Sequence, residues 1–208
     1  MKVSKKKLNV VLDIGKTNVK LIFLKHDKIV KEYKTKQQNG SYRNSIKTLK
    51  SGKIIIWLIE KLKKESKKNI LENFVCTTHG CSLAFIGFDN KELIACTDYE
   101  YSFDKYKKEF LKVEPKFSTS FTPLLEGGLN TGLQIFYLSK KFPNVLKKTK
   151  YILSYPQYVA WKLSKTYSTE ITYVGCHSYL WDFKKNKYSQ LTKKLSVEKK
   201  FPPIKKAW

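Results

Sequence analysis

Residues 8–14 form a nearly continuous apolar run, ending in Asp13-Ile14 and stopped by Gly15, and no other stretch constrains the fold as strongly. A run with so few polar interruptions reads as a strand buried on both faces. Residues 19–25 and 28–34 follow with alternating polarity and are joined by His26-Asp27, so the simplest arrangement is an antiparallel three-strand meander. Residues 45–68 place Ile54, Ile55, Trp57, Leu58 and Leu62 between lysines and glutamates, as in an amphipathic helix lying on a sheet. Strands are expected again at 73–77 and 82–88, and the irregular stretch 89–121 reads as an insertion or lid-like loop. A helix is expected over 129–141 and is stopped by Pro143, which lacks an N–H and clashes with the preceding turn. A strand at 151–154, a helix starting at Pro156, a loop with a short apolar segment over 170–182, a helix at 188–195 and an extended end at 201–204 complete the order. Strands mixed with helices in this way indicate an α/β domain on a mixed sheet.

The chain has 208 residues, 41% of them hydrophobic and 14% aromatic, enough to fill a core and to exclude a disordered chain. Its formal net charge of +25 raises the question of a polyanionic partner. Arg43, however, is the only arginine among 42 basic residues, and arginine is the residue whose fork matches phosphate and guanine. The lysines come as scattered pairs such as Lys63-Lys64, Lys147-Lys148 and Lys184-Lys185, the pattern of a solvated surface rather than of a nucleic-acid site. Cys76, Cys81, Cys96 and Cys176 form no dense framework and no secretory leader or membrane-length apolar run is read, so the expectation is a cytoplasmic protein with reduced thiols and no membrane partner.

The chemistry is concentrated in Asp13-Ile14-Gly15-Lys16-Thr17-Asn18. A buried strand delivers Asp13 to its end, Gly15 permits a tight turn, Thr17 and Asn18 add donors, Lys16 adds positive charge, and a carboxylate is what Mg²⁺ prefers. Such a turn suits the terminal phosphates of a nucleotide, although Asp-x-Gly-x-x-Asn between two strands is also ordinary hairpin chemistry. Cys76, His79 and Cys81 lack a fourth ligand at structural-zinc spacing. Cys176 and His177 are expected to be buried and structural, because neighbours along a strand point to opposite faces. The aromatic group of Tyr155, Tyr158, Trp161 and Trp181 reads as core.

Asp13 to Asn18 resembles the first phosphate motif of the FGGY carbohydrate kinases, members of the actin, hexokinase and heat-shock ATPase superfamily. Thr77-Thr78-His79-Gly80-Cys81 looks like the segment before the sugar pocket in the xylulose, rhamnulose and fuculose branches. Tyr155 to Ser164, Thr169 to Thr172 and Cys176 to Asp182 are similar to the family's helix, threonine-bearing strand and Leu-Trp-Asp stretch, in order and spacing. The resemblance covers nearly the whole chain. It implies a ribonuclease-H-like (actin-like ATPase) domain with helices on both faces of its mixed sheet, residues 1–208 being the incomplete N-terminal, sugar-side domain of a two-domain kinase. ATP and Mg²⁺ are the implied cofactors, and a sugar, a ketose or related polyol, the implied substrate. On that resemblance Asp13 positions Mg²⁺, directly or through water, Gly15, Lys16, Thr17 and Asn18 contact phosphate, and His79 and Gly80 touch the sugar, with Asp98, Glu100 and Gln157 as further sugar candidates. The general-base aspartate and the C-terminal nucleotide-side domain are expected beyond Trp208, so the chain is expected to be inactive alone. Three readings stay open: one lobe of a kinase whose C-terminal half is separately encoded, a sugar-binding remnant or truncated gene product without turnover, and a basic nucleic-acid-binding domain.

Overall fold

The computed structural model describes residues 5–37, 40–43 and 45–206; Met1 and Trp208, at the two ends of the readings above, lie outside them. In chain order the elements are β1 (Lys6–Ile14), β2 (Asn18–Lys25), β3 (Lys28–Lys36), the short pair β4 (Tyr42–Arg43) and β5 (Ile46–Lys47), α1 (Ser51–Ser66), β6 (Asn69–Thr78), β7 (Leu83–Gly87) and β8 (Glu92–Ile94). A 3-10 turn at Asp104–Tyr106 leads to α2 (Lys107–Phe110), α3 (Phe117–Ser120), α4 (Thr131–Lys141), α5 (Pro143–Lys148), β9 (Thr149–Ser154), α6 (Tyr155–Ser164) and α7 (Ile171–Gly175). The short strands β10 (Trp181–Asp182) and β11 (Lys187–Tyr188) and helix α8 (Gln190–Lys194) follow.

The first sheet has the order β3-β2-β1-β6. Its first three strands make the expected antiparallel meander, and β6 lies parallel to β1 after the α1 crossover. Leu8, Val10, Leu12 and Ile14 of β1 share a buried face with Val19, Leu21 and Phe23 of β2. That face packs on Ile54, Ile55 and Leu58 of α1 and on Tyr158, Val159 and Trp161 of α6. Because both helices lie on one side, the alternate residues Asn9, Val11 and Asp13 are only half-buried, and Val75 of β6 is 59% exposed. The first strand is therefore covered on one face, not on both, and this sheet lacks the helices expected on its second face among the described residues. Glu65 at the end of α1 closes the layer from the side. Its buried carboxylate accepts from Lys31 at 2.8 Å and Tyr33 at 2.6 Å, and Asn69 adds a third donor at 3.2 Å.

The second sheet, β8-β7-β9, does have cover on both faces. All five residues of β7 are buried. Ala84 and Ile86 turn toward the first core, while Leu83 and Phe85 turn toward a second core filled by Leu133, Phe136 and Tyr137 of α4. The stretch 89–121 is no lid: Phe103 and Phe110 are fully buried in that second core. Aromatic spacing there has no period, which is why it reads as loop. Pro143 not only stops α4 but opens α5, since its fixed φ suits a first helical position. Residues 171–175, expected as loop or threonine-bearing strand, form a helical turn, because the Glu170 carboxylate accepts from the backbone N–H of Thr172 at 3.0 Å and of Tyr173 at 3.3 Å and so caps it.

Gly132 shows how closely α4 meets the segment after α7. Its N–H donates to the Ser178 carbonyl at 2.8 Å, and a Cβ at 132 would overlap that same oxygen. Gly132→Ala is expected to lower stability by about 2 kcal/mol, from overpacking against backbone, as read from the midpoint of urea unfolding.

Candidate functional site

The turn after β1 is tight by necessity. The Gly15 N–H donates to the Asn18 carbonyl at 2.9 Å, and a Cβ on Gly15 would stand 3.0 Å from that oxygen. Thr17 and Asn18 point to solvent, and the Thr17 carbonyl accepts from the Gln37 N–H at 2.8 Å. Asp13 is half-buried on the open face of the sheet, across from Lys20 on β2 and Thr77 on β6. Among the described residues there is no group of three or more His, Cys, Asp or Glu side chains arranged to hold a metal ion. A single carboxylate can nevertheless be the protein donor for Mg²⁺, which keeps most of its waters and takes substrate phosphates as further ligands.

Lys16 leaves this turn inward. Its Nζ lies 2.6 Å from Asp98 Oδ1, 3.1 Å from Glu100 Oε2 and 4.7 Å from the centre of the Tyr99 ring. Asp98 is fully buried; its second oxygen pairs with Lys47 at 3.0 Å, and its first also accepts from the Glu100 N–H at 3.1 Å. Burial alone pushes the Asp98 carboxyl up, but the bonds from Lys16, the Glu100 N–H and Lys47 outweigh it and hold the group below the usual carboxylate range. For Lys16, burial works downward and is overcome by Asp98 and Glu100, so the ammonium stays charged.

His79 follows β6 directly, and its N–H donates to the Ile14 carbonyl at 2.9 Å, placing it beside the turn after β1. The ring is held edge-on between Tyr99 at 5.3 Å and Tyr155 at 5.5 Å. Its Nε2 is buried with no hydrogen-bond partner among the described residues. Burial, assisted by the nearby Lys16 charge, outweighs the Gly80 carbonyl and keeps the imidazole below its ordinary pKa, hence neutral at pH 7.

His79 and Gly80 open onto a cavity of about 490 Å³, whose walls include Tyr99, Thr131, Ile152, Tyr173, Cys176 and His177. The structure thus gathers His79, Gly80, Lys16, Asp98 and Glu100 around Tyr99, with Thr17, Asn18 and Asp13 at the neighbouring turn. Of the further sugar candidates none lines the cavity: Asp98 and Glu100 are turned to Lys16, and Gln157 sits on α6 with its Oε1 buried without a partner among the described residues. Cys176 and His177, expected to be buried, are exposed at the cavity wall, because the helical turn of α7 ends just before them. Tyr99 and Tyr173 carry no sequence signal that separates them from core aromatics; adjacency to Asp98 and to the threonine-rich 169–172 stretch is the only hint. Burial pushes the Cys81 thiol up to about 11, so it is no thiolate nucleophile at neutral pH.

Asp98→Asn leaves Lys16 and Lys47 without their shared counter-charge. Both lysines are about one-quarter exposed and can turn to water, so the expected loss is about 2 kcal/mol at pH 7, below the usual figure for a fully buried broken pair. The depressed carboxyl contributes fully above its unfolded value of about 3.9 and loses that contribution as pH falls through its lower folded value, so the gap between wild type and variant should narrow below pH ~4 in urea titrations.

No protein-family model and no curated protein matches the chain. Solved structures do. A carbohydrate kinase from Novosphingobium aromaticivorans is 26% identical, with a TM-score of 0.86, over 94% of this chain and 42% of its own. A ligand-bound xylulose kinase from Lactobacillus acidophilus is 15% identical at a TM-score of 0.80, over 97% of this chain and 42% of its own. A Plasmodium falciparum glycerol kinase with ADP is 16% identical at 0.76, over 98% of this chain and 44% of its own. The chain therefore spans less than half the length of the kinases it matches. Across that shared region the chain has the fold of the FGGY-type carbohydrate kinases.

Proposed function

We propose that this chain is the sugar-side, N-terminal domain of an ATP-dependent carbohydrate kinase, with a ribonuclease-H-like core. The observation that carries the reading is the junction at Tyr99. The phosphate-type turn, through Lys16, and the cavity, through His79, meet on the same aromatic ring, so a nucleotide's terminal phosphate and a sugar hydroxyl would be neighbours. Phosphoryl transfer needs little more from the protein than that placement plus charge around the moving group. The similarity to a glycerol kinase described with ADP supports ATP as the phosphoryl donor.

Within this reading Gly15, Thr17, Asn18 and the backbone of Lys16 face the phosphate while the Lys16 ammonium is held by Asp98 and Glu100, and Asp13 holds Mg²⁺ or its water, which supplies charge neutralisation when bound. Asp98 and Glu100 fix Lys16 and through it the turn. The neutral His79 imidazole, on the cavity wall, lacks a partner at Nε2 and would accept from a sugar hydroxyl once a small ring rotation opens that nitrogen to the cavity, and Gly80 lets the sugar approach the backbone. The general base and the adenosine-binding half belong to a C-terminal part, contributed by the remainder of a longer kinase or by a separately encoded half. A missing base costs roughly 10²- to 10⁴-fold, so no ATP-dependent sugar phosphorylation above background is expected from the 208-residue chain alone.

The reading is tested by binding. One ketose in a panel is expected to raise the thermal midpoint of the chain, and His79→Ala to abolish that shift. Because the His79 pKa is lowered, affinity for that ketose should be flat from pH 8 to about 6.5 and fall only on further acidification, as protonation takes away the acceptor. His79→Gln should remove the acid limb. Absence of a shift with every sugar tried defeats the assignment.

A further inference from the structure

The segment Cys176 to Leu180 is built in an unusual way. His177 has φ +51° and Tyr179 φ +62°, both in the left-handed region that residues other than Gly enter at a cost, a small one for Asn, Asp and His and a larger one for a bulky residue such as Tyr179. Three separate elements hold it there. Asn130, fully buried before α4, donates to the His177 carbonyl at 2.9 Å and to the Pro123 carbonyl at 3.1 Å, while its Oδ1 accepts from the Leu125 N–H at 2.8 Å. Gly132 donates to the Ser178 carbonyl, and the Ser178 hydroxyl reaches back to the Val174 carbonyl while accepting from the Leu180 N–H. Ser189 donates to the Tyr179 carbonyl through its hydroxyl at 2.7 Å and to the Leu180 carbonyl through its N–H at 2.8 Å.

Ser178, Tyr179 and Leu180 are buried, so most of this bracing is invisible from outside. What it presents is His177, exposed on the wall of the cavity that His79 also lines, with no hydrogen bond to its imidazole among the described residues. Strain that the surroundings over-determine is a feature of ligand clamps, where it fixes a side chain in advance of binding. A structural role would be served better by glycine, which takes this backbone freely. We infer that His177 is a second sugar-contacting, specificity-determining residue, hydrogen-bonding a hydroxyl of a ketose that His79 also holds; this rests on the kinase reading above. Imidazole nitrogens hydrogen-bond hydroxyls readily, and a site built to bond a hydroxyl discriminates strongly against a sugar that lacks it.

Calorimetry with D-xylulose, L-rhamnulose, L-fuculose and glycerol on wild type, His177→Gly, His177→Asn and His79→Ala tests this, with thermal unfolding of each unliganded protein alongside. The expected result is at least a tenfold loss of affinity in His177→Gly for the sugar that wild type binds, with an unfolding midpoint equal to or above wild type because the strain is released. His177→Asn, which tolerates the same backbone and keeps hydrogen-bonding groups, should retain part of the affinity. Wild-type affinity in His177→Gly together with its loss in His79→Ala overturns the role of His177 and leaves the kinase reading standing. Weaker binding with a lowered midpoint makes the residue structural and also overturns the inference. No binding of any of the four by wild type overturns both readings.

Discussion

A carboxylate with no access to water must have its charge met by the protein, and Asp98 is the point where that demand organises the site. Lys16 comes to it from the turn after β1, Lys47 from β5, and the Glu100 N–H from its own loop. Three segments distant in sequence are thereby fixed around one group. Tyr99, between Asp98 and Glu100, is carried to a place where Lys16 lies over its face and His79 meets its edge. Such a pair adds little net stability against an apolar replacement of the same shape; what it contributes is placement, since a lysine on a glycine-containing turn would otherwise sample many rotamers.

Much of the architecture was legible because it is local. Alternation in residues 19–25 and the helical spacing of Ile54, Leu58 and Leu62 follow from which side faces the core, and the meander and α1 stand where the patterns put them, although β3 at the sheet edge buries no residue fully. Two of the failures share a cause: they depend on partners far along the chain. The run at 8–14 looks two-sided, yet whether a second face is covered is decided by where α1 and α6 land. Phe103 and Phe110 look like loop residues until α4 is there to receive them. The turn of α7 exists because Glu170 reaches two backbone N–H groups, an interaction that a nearby Thr-Glu-Ile-Thr run does not distinguish from extended chain.

The site was legible in part for a similar reason. Asp13 to Asn18 and His79-Gly80 could be picked out because a turn needing glycine and a histidine after a strand are uncommon in combination. The structure puts His79 next to the turn through one backbone bond to Ile14. Asp98 and Glu100 were found as acidic residues near the expected pocket, but their engagement with Lys16 has no sequence signature. Gln157 shares a helix with buried aromatics and does not line the cavity. Cys176 and His177 depart from strand alternation because they follow a helical turn, where period two does not hold.

The strand β7 sends Ala84 and Ile86 to one core and Leu83 and Phe85 to the other, so a single five-residue wall is common to both. Neither half of the molecule can open without stripping cover from its neighbour, and partial unfolding of one side would leave bare apolar strand on the other. Such a partition couples the two halves into one melting unit even though each has its own aromatic interior. It also ties completion of that unit to a late event in chain synthesis, because β7 is pinned by β9, with Leu83 opposite Ser154. Until residue 154 has emerged, the wall lacks one of its two neighbours, and joining contacts so remote in sequence is the slow step that the topology imposes.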